Sequence, residues 1–480
     1  MESPSAYIPI DRRWAAAQGR ELPSRASGSV MLADISGFTP LTAALLKELG
    51  LRRGPEELTR QLNLVYDALI AEVHRYGGSV IGFSGDAITC WFDGDDGSRA
   101  TACGLAMQQG MSQFASVQTP AGTTVSLGMK VAVAAGPVRR FLVGHPAIQY
   151  IDVLAGATLD RMAAAEHEAE RGEVVVAPEV VTGLGDKLGI VEFRGQAETG
   201  QRFGVVEGLN LAIPPTPWPT PEPELSDEQV RPWLLPPVYE RLQSGQGRLL
   251  SEIRPAVALF MRFSGIDYDR DDLAEDKLDI YIRWVQGVLA RYEGYLLQLT
   301  IGDKGCYLYA AFGAPIAHGD EPARAIAAAL DLQNPSPALD LTGPVQIGIS
   351  QGRMRTGAYG GTARSTYGVL GDEVNMVARL MGKAERGQII VSQRIAKASA
   401  DRYRLQDLGQ IKVKGKEEPI SVSLVLGPRR YAVRKPVDTF PTRLVGRTAE
   451  LDQMAQVLVA TAGGEGQILR LQGVAGIGKS

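Results

Sequence analysis

The sequence predicts an α+β fold built twice in tandem, with a mixed β-sheet in each half. Three observations carry that expectation: an internal repeat, a proline-rich connector between its copies, and short apolar strands alternating with amphipathic helices. The repeat aligns GFSGDAITCWF (82–92) with TIGDKGCYLYAAF (300–312), setting Asp86 opposite Asp303. It continues in AERGEVVVAPEV (169–180) and AERGQIIVSQRI (384–395), setting Arg171 opposite Arg386. Strands ending at Gly136 and Gly352, then Tyr150 and Tyr367, then Val-Leu pairs at 153 and 369, follow in the same order. Two homologous domains are the simplest account.

In chain order, an N-terminal extension (1–26) leads to the first repeat (27–208), a connector (209–250), the second repeat (251–427), a second connector (428–442) and a terminal segment (443–480). SVMLADI (29–35), KVAVAA (130–135), AVALFMRF (256–263) and VQIGIS (345–350) read as short apolar strands. PEELTRQLNLVYDALIAEVHRYGG (55–78) repeats Leu58, Leu62, Val65, Leu69 and Val73 at helical spacing before stopping at Gly77 and Gly78, so it reads as a core-facing helix. PPTPWPTPEPELSDEQVRPWLLPP (214–237) is too dense in proline for regular helix or a central strand and reads as an extended connector.

At 480 residues and 45% hydrophobic content the chain has material for several packed cores. Its 50 Lys and Arg against 54 Asp and Glu leave a net charge of −4, which offers no general attraction to nucleic acid or to an anionic membrane surface. A polyanionic ligand must then be held by local charges. No apolar run approaches the roughly 18 residues of a membrane span and no basic-then-apolar leader opens the chain, so a cytoplasmic protein is expected. Cys90, Cys103 and Cys306 are odd in number and scattered, which predicts reduced core thiols rather than disulfides or zinc ligands.

Four groups of residues could carry chemistry. The loop ADISGFT (33–39) follows a strand and opens a helix, so the backbone N–H groups of Ile35, Gly37, Phe38 and Thr39 can face a phosphate. Asp34 sits beside that cradle, although an aspartate opening a turn is also an ordinary cap. Asp86, in FSGDAI, occupies a hairpin turn, where Gly-Asp is common without any function. Together the two aspartates offer the hard oxygen ligands that paired Mg²⁺ ions need. In the second repeat Arg262 takes the place of Asp34, and Asp303 is followed by Lys304, so the metal pair is lost and a cation kept. Asn375 and Arg379, four residues apart, share one helix face, where an unremarkable polar surface is the alternative. Their expected matches in the first repeat are Leu159 and Ala163. Finally, GVAGIGKS (473–480) is a G-x-x-x-x-G-K-S phosphate loop with Gly473, Gly478, Lys479 and Ser480 in the key places. Without its following helix or an acidic strand it reads as the truncated start of a P-loop NTPase domain, with no ATPase activity expected.

DISGFT, FSGDA, DKG, VNMVAR and VKGK (413–416), with the linker WLLPPVYERL (233–242), resemble the class III adenylyl cyclases, specifically the soluble branch with tandem cyclase domains ahead of a P-loop NTPase region. The resemblance implies two ferredoxin-like cyclase domains paired about a pseudo-twofold axis within one monomeric chain, and one site converting ATP to cyclic AMP and pyrophosphate. It further implies that Asp34 and Asp86 hold two Mg²⁺ ions, with Mn²⁺ as the alternative, and that Lys304 reads the purine as in adenylyl rather than guanylyl cyclases. Asn375 would position the ribose, Arg379 would stabilise the charged transition state, and Lys130 and Lys414 would bind the triphosphate. Two departures stand out. The second purine-contacting position, commonly Asp or Thr, is Gly368, which predicts less sharp base selection. Where the branch holds bicarbonate between Lys and Arg, this chain has Gly82 and Met162, with Arg161 one residue short, so no bicarbonate response is expected. The competing readings are a nucleotide-binding regulator without turnover and an NTPase-driven regulator with vestigial cyclase homology.

Overall fold

The computed structural model describes residues 3–195, 201–220, 223–245, 252–302, 305–336, 339, 341–412, 419–429, 448–463, 466 and 468–470, apart from the side chains of 51–52. Helix α1 (Ile10–Ala17) precedes strand β1 (Arg25–Ser36), helix α2 (Phe38–Arg75), the hairpin β2 (Ser79–Ser84) and β3 (Ala87–Asp93), and helix α3 (Ser98–Met111). A small ribbon of β4 (Val117–Gln118) and β5 (Thr124–Val125) leads to the long β6 (Gly128–Val143) and to β7 (Ile151–Ala155). Then come α4 (Ala157–Glu168), β8 (Val174–Val176), α5 (Pro178–Leu184), β9 (Leu188–Arg194) and β10 (Phe203–Leu209). The connector holds α6 (Asp227–Val230) and α7 (Pro236–Gln243). The second half repeats the pattern with β11 (Glu252–Phe263), α8 (Ala274–Arg291), β12 (Gly294–Thr300), β13 (Cys306–Phe312), α9 (Glu321–Gln333), β14 (Gln346–Gly360) and β15 (Ser365–Leu370). It closes with α10 (Asp372–Lys383), β16 (Ile389–Ser392), α11 (Gln393–Ser399), β17 (Tyr403–Ile411) and β18 (Ile420–Pro428).

The two large sheets have one strand order: β2-β3-β1-β6-β8-β10-β9 with β7 on β6, and β12-β13-β11-β14-β16-β18-β17 with β15 on β14. Each is mixed, with one parallel pair, β6 to β8 and β14 to β16. The fold is therefore α+β with two similar sheets.

Register tests the repeat residue by residue. β1 sets Gly28 opposite Gly136 and Asp34 opposite Lys130; β11 sets Ala256 opposite Gly352 and Arg262 opposite Gln346. Arg262 thus occupies the place of Asp34. The matches of Asn375 and Arg379 need correction. Val143 faces Ile151, whereas Tyr359 faces Thr366, so the turn after β6 is the longer one and the alignment slips there. The helix caps agree, Gly156 before α4 and Gly371 before α10. The counterparts of Asn375 and Arg379 are consequently Asp160 and Ala164, and those of Leu159 and Ala163 are Val374 and Ala378.

Two further expectations change. Helix α2 begins well before residue 55 and is broken at Gly50 (φ 73°, ψ −176°), with Pro55 in the turn that resumes it, where a missing N–H costs little. The connector is extended only in its first part. Ser226 caps α6 through a reciprocal capping box with Gln229, and Pro236 opens α7.

The halves exchange core residues. Phe141, Val143, Val153 and Ala155 belong to the core of the second half, and Tyr359 to that of the first, against Tyr66 and Phe83. A buried polar staple adds to this: the Arg364 guanidinium donates to the carbonyls of Val80 (3.0 Å), Ile81 (3.0 Å) and Tyr7 (2.9 Å). The three cysteines are buried free thiols. No described helix is long and apolar enough to cross a membrane. Residues 429–480 form a separate unit containing α12 (Thr448–Ala462); Gly473, Gly478, Lys479 and Ser480 of the phosphate loop lie outside the described residues.

Candidate active site

Asp34 and Asp86 line one cavity because β1 and β3 are neighbours. Ala87 pairs with Asp34, and Gly85 and Asp86 alone join β2 to β3, with Gly85 at φ 64° as a glycine-first hairpin turn requires. The equivalent turn, 301–305, is longer, and it holds Asp303 and Lys304, both outside the described residues. Burial, then the neighbouring Asp34 charge, push the Asp86 carboxyl up to about 6. Asp34 is raised too, by burial first and by Glu166, with Lys130 opposing. Two like charges brought together at a half-buried strand end are short of a cation.

Lys130 supplies it only in part. Its ammonium pairs with the Glu166 carboxylate and lies 3.9 Å from Asp34 Oδ2, so the residue expected to bind triphosphate already has an acidic partner. Among the described residues no group of three or more His, Cys, Asp or Glu side chains is assembled. Two carboxylates nevertheless fit Mg²⁺, which keeps several waters and takes substrate phosphates as its remaining ligands.

The predicted phosphate cradle is partly realised. Gly37 has φ 104°, and a Cβ there would stand 2.5 Å from the Ser126 carbonyl, so only glycine turns the chain into α2. Phe38 and Thr39 open that helix, where backbone N–H groups have no intrahelical acceptor. Ile35 departs from the expectation: its N–H faces the Asp86 carbonyl at 3.4 Å and is engaged in closing the hairpin.

Helix α10 brings the second half to this site. It crosses β14 at Gly348, where a Cβ would come within 2.5 Å of the Met381 nitrogen, and Ser350 Oγ bonds Glu373 at 2.6 Å. This close approach turns the exposed Asn375 toward the first half. A cavity of about 520 Å³ results, lined by Asp34, Phe38, Thr39, Asp86 and Asn375. An adjoining pocket of about 170 Å³ is lined by Asn375, Gly368, Tyr307 and Tyr309. Gly368 is bare for a packing reason, since a Cβ would meet Tyr359 Cε1 at 2.5 Å.

Arg379 shares the face of Asn375 but is not among the side chains lining either cavity. Lys414 lies outside the described residues. The lining also contains Arg353 and Arg355, which sequence reasoning missed. The available signal was their spacing of two in a strand, which puts both on one face. A third cavity, about 310 Å³, is lined by Asp34, Gly82, Leu159, Met162, Ala163, Glu166, Thr300 and Tyr307.

Residues 289–425 match the family described as adenylate and guanylate cyclase catalytic domain. Adenylate cyclase type 10 of Rattus norvegicus is 24% identical over 500 residues, covering 94% of this chain and 30% of the relative; that of Homo sapiens is 24% identical over 384 residues, covering 74% and 24%. The chain thus spans less than a third of the length of these relatives. Among solved structures, a class III adenylyl cyclase-like ATP-binding protein from Pseudomonas aeruginosa superposes with a TM-score of 0.52 at 13% identity, over 82% of this chain and 92% of that one, a likeness of fold.

Proposed function

From the premise that the chain carries a class III cyclase domain and is homologous to adenylate cyclase type 10, we propose that it is an adenylate cyclase, converting ATP to cyclic AMP and pyrophosphate at one site between its two halves. One observation carries the reading: a single cavity joins the Asp34 and Asp86 carboxylates of one half to Asn375 of the other. Its volume suits a nucleotide-sized ligand.

In this reading Asp34 and Asp86 hold two Mg²⁺ or Mn²⁺ ions. When bound, these supply Lewis acidity toward the ribose hydroxyl and neutralise phosphate charge. The opening turn of α2 receives phosphate oxygens through the N–H groups of Phe38 and Thr39. Asn375 orients the ribose so that its 3′-oxygen lies in line with the α-phosphorus, and positioning of this kind accounts for much of the catalysis in phosphoryl chemistry. Lys304 and Lys414 contribute purine and phosphate contacts, and Arg379 stabilises the charge developing at the α-phosphate. Gly368, kept bare by Tyr359, leaves base choice to the remaining contacts. The pairing of the halves is intramolecular, which lets a monomer be active.

A second reading, a nucleotide-binding regulator without turnover, draws on the position of Arg379 outside the cavity wall. Incubation of the chain with ATP and GTP in parallel, with Mg²⁺ or Mn²⁺ and chromatography of the products, separates the two. The cyclase reading expects cyclic AMP from ATP in excess of cyclic GMP from GTP. Stoichiometric ATP binding with no cyclic product would replace it by the regulator.

A further inference from the structure

The geometry points to Arg353 and Arg355 as a second anion-holding wall of the active cleft, one that takes the polyphosphate chain of the nucleotide. This deepens the cyclase reading and rests on it for the identity of the ligand.

Strand alternation places both arginines on one face of β14, while Met354 between them is buried in a different cluster with Val369, Val377 and Met381. Both line the cavity that holds Asp34 and Asp86. Arg353 is exposed, with no ion pair among the described residues. Arg355 is only 4% exposed. Its Nε and Nη2 donate to Thr59 Oγ1 at 3.1 and 2.9 Å, and Nη2 also to the Ala358 carbonyl at 3.0 Å. Its Nη1 has no acceptor.

Among the described residues no carboxylate pairs with this buried guanidinium. Burial pulls its pKa down to about 10, opposed only by Tyr359 and Tyr66. A buried cation without a counter-ion is costly to hold, and a fork already fixed by Thr59 and Ala358 needs little reorganisation to meet an anion. A ligand that places cations at the Asp34 and Asp86 end and negative charge along the arginine end has the chemistry of a metal-chelated polyphosphate. The first half repeats only part of this: Arg139, matching Arg355, is equally buried with its Nε unsatisfied, but it lines none of the three cavities. The place of Arg353 is taken by Pro137, and Arg139 donates Nη1 to the carbonyls of Tyr268 (3.3 Å) and Asp271 (3.2 Å).

The test is calorimetric titration of the full chain with inorganic tripolyphosphate and Mg²⁺, in Arg353→Ala and Arg355→Met. Each variant should bind about 10-fold or more weakly, the usual effect of losing a charged hydrogen bond. Arg355→Met should unfold no earlier than wild type, because the substitution removes an unpaired charge. Wild-type affinity in Arg353→Ala and in folded Arg355→Met overturns the assignment; if Arg355→Met does not fold, Arg353→Ala decides alone. Weakened tripolyphosphate binding in a chain that makes no cyclic nucleotide sinks the cyclase reading and leaves the arginines standing. Cyclic AMP made by both variants at unchanged KM and unchanged tripolyphosphate affinity does the reverse.

Discussion

Two of the cavities between the halves are built from equivalent elements but lined by different chemistry. The larger, about 520 Å³, gathers Asp34, Asp86, Asn375, Arg353 and Arg355; the smaller, about 310 Å³, sets Leu159, Met162 and Ala163 against Thr300, Ile301 and Tyr307. Asp34 reaches both, while Ser84 and Gln298, joined at 2.9 Å, line the smaller one and the 170 Å³ pocket beside the larger. At equivalent positions the first half has Asp34 where the second has Arg262, and Asp160 where the second has Asn375. Neither half holds a complete set. The fold was kept twice because apolar alternation and backbone pairing maintain it, whereas the polar groups of a site are few and can diverge without loss of the core.

This asymmetry can be broken most severely at the carboxylates. Asp86→Ala should lower cyclic AMP formation about 100-fold or more, on the scale of losing a preorganised charge-stabilising group. Arg262→Ala, the equivalent change to Asp34→Ala on the other side, should leave the rate within about twofold. Because Asp86 is half-buried beside Asp34 and pushed up to about 6, its removal should not lower the unfolding temperature. Equal losses in the two variants would mean that both cavities take part.

A smaller contrast is expected on the helices. Asn375→Ala should cost roughly 10-fold in kcat by loosening the ribose, and Asp160→Ala, its register match, should cost little. Steady-state kinetics on both would reveal an error in the structural alignment if Asp160→Ala proved the more damaging.

The smallest effect concerns what the cavities share, the packing of the halves. Burial, then Arg13 and Arg364, push the His74 imidazole down to about 4. An unfolded histidine takes up its proton near pH 6.5, so the unfolded chain binds more protons between these values. Stability is therefore full above about pH 6.5 and is lost as pH falls toward 4, by about 1 kcal/mol at pH 5.5. Urea unfolding at pH 7.5 and 5.5 measures this, and His74→Gln should flatten the dependence.

Much of the fold could be read from residues alone. The strands around Asp34, Lys130, Arg262 and Gln346 were legible because apolar runs bounded by glycine have few alternatives, and the repeat fixed their correspondence. The helix before Pro55 was not, because Gly50 and Pro55 interrupt the periodicity without ending the helix. The connector helices were hidden by prolines that sit in first turns, where they are tolerated. The slip from Asp160 to Leu159 arose in a turn, where length is free to vary. At the site, Asp34, Asp86 and Asn375 were visible as residues. The ion pair of Lys130 with Glu166 and the cavity-facing pair Arg353 and Arg355 were not, since arginine in a sequence reads as solvated surface.

By itself the sequence determined that one α+β unit occurs twice, that the acids lie in one copy and the asparagine with its arginine in the other, and that Arg262 denies the second copy a carboxylate pair. These follow from residue identity and local periodicity, which are properties of short stretches of chain. Only the tertiary structure decided which groups share a cavity, that Tyr359 keeps Gly368 bare, that Ile35 is engaged by the hairpin, and that Arg355 is buried without a counter-ion. Each of these depends on side chains far apart in sequence competing for one volume, and no local pattern encodes that competition.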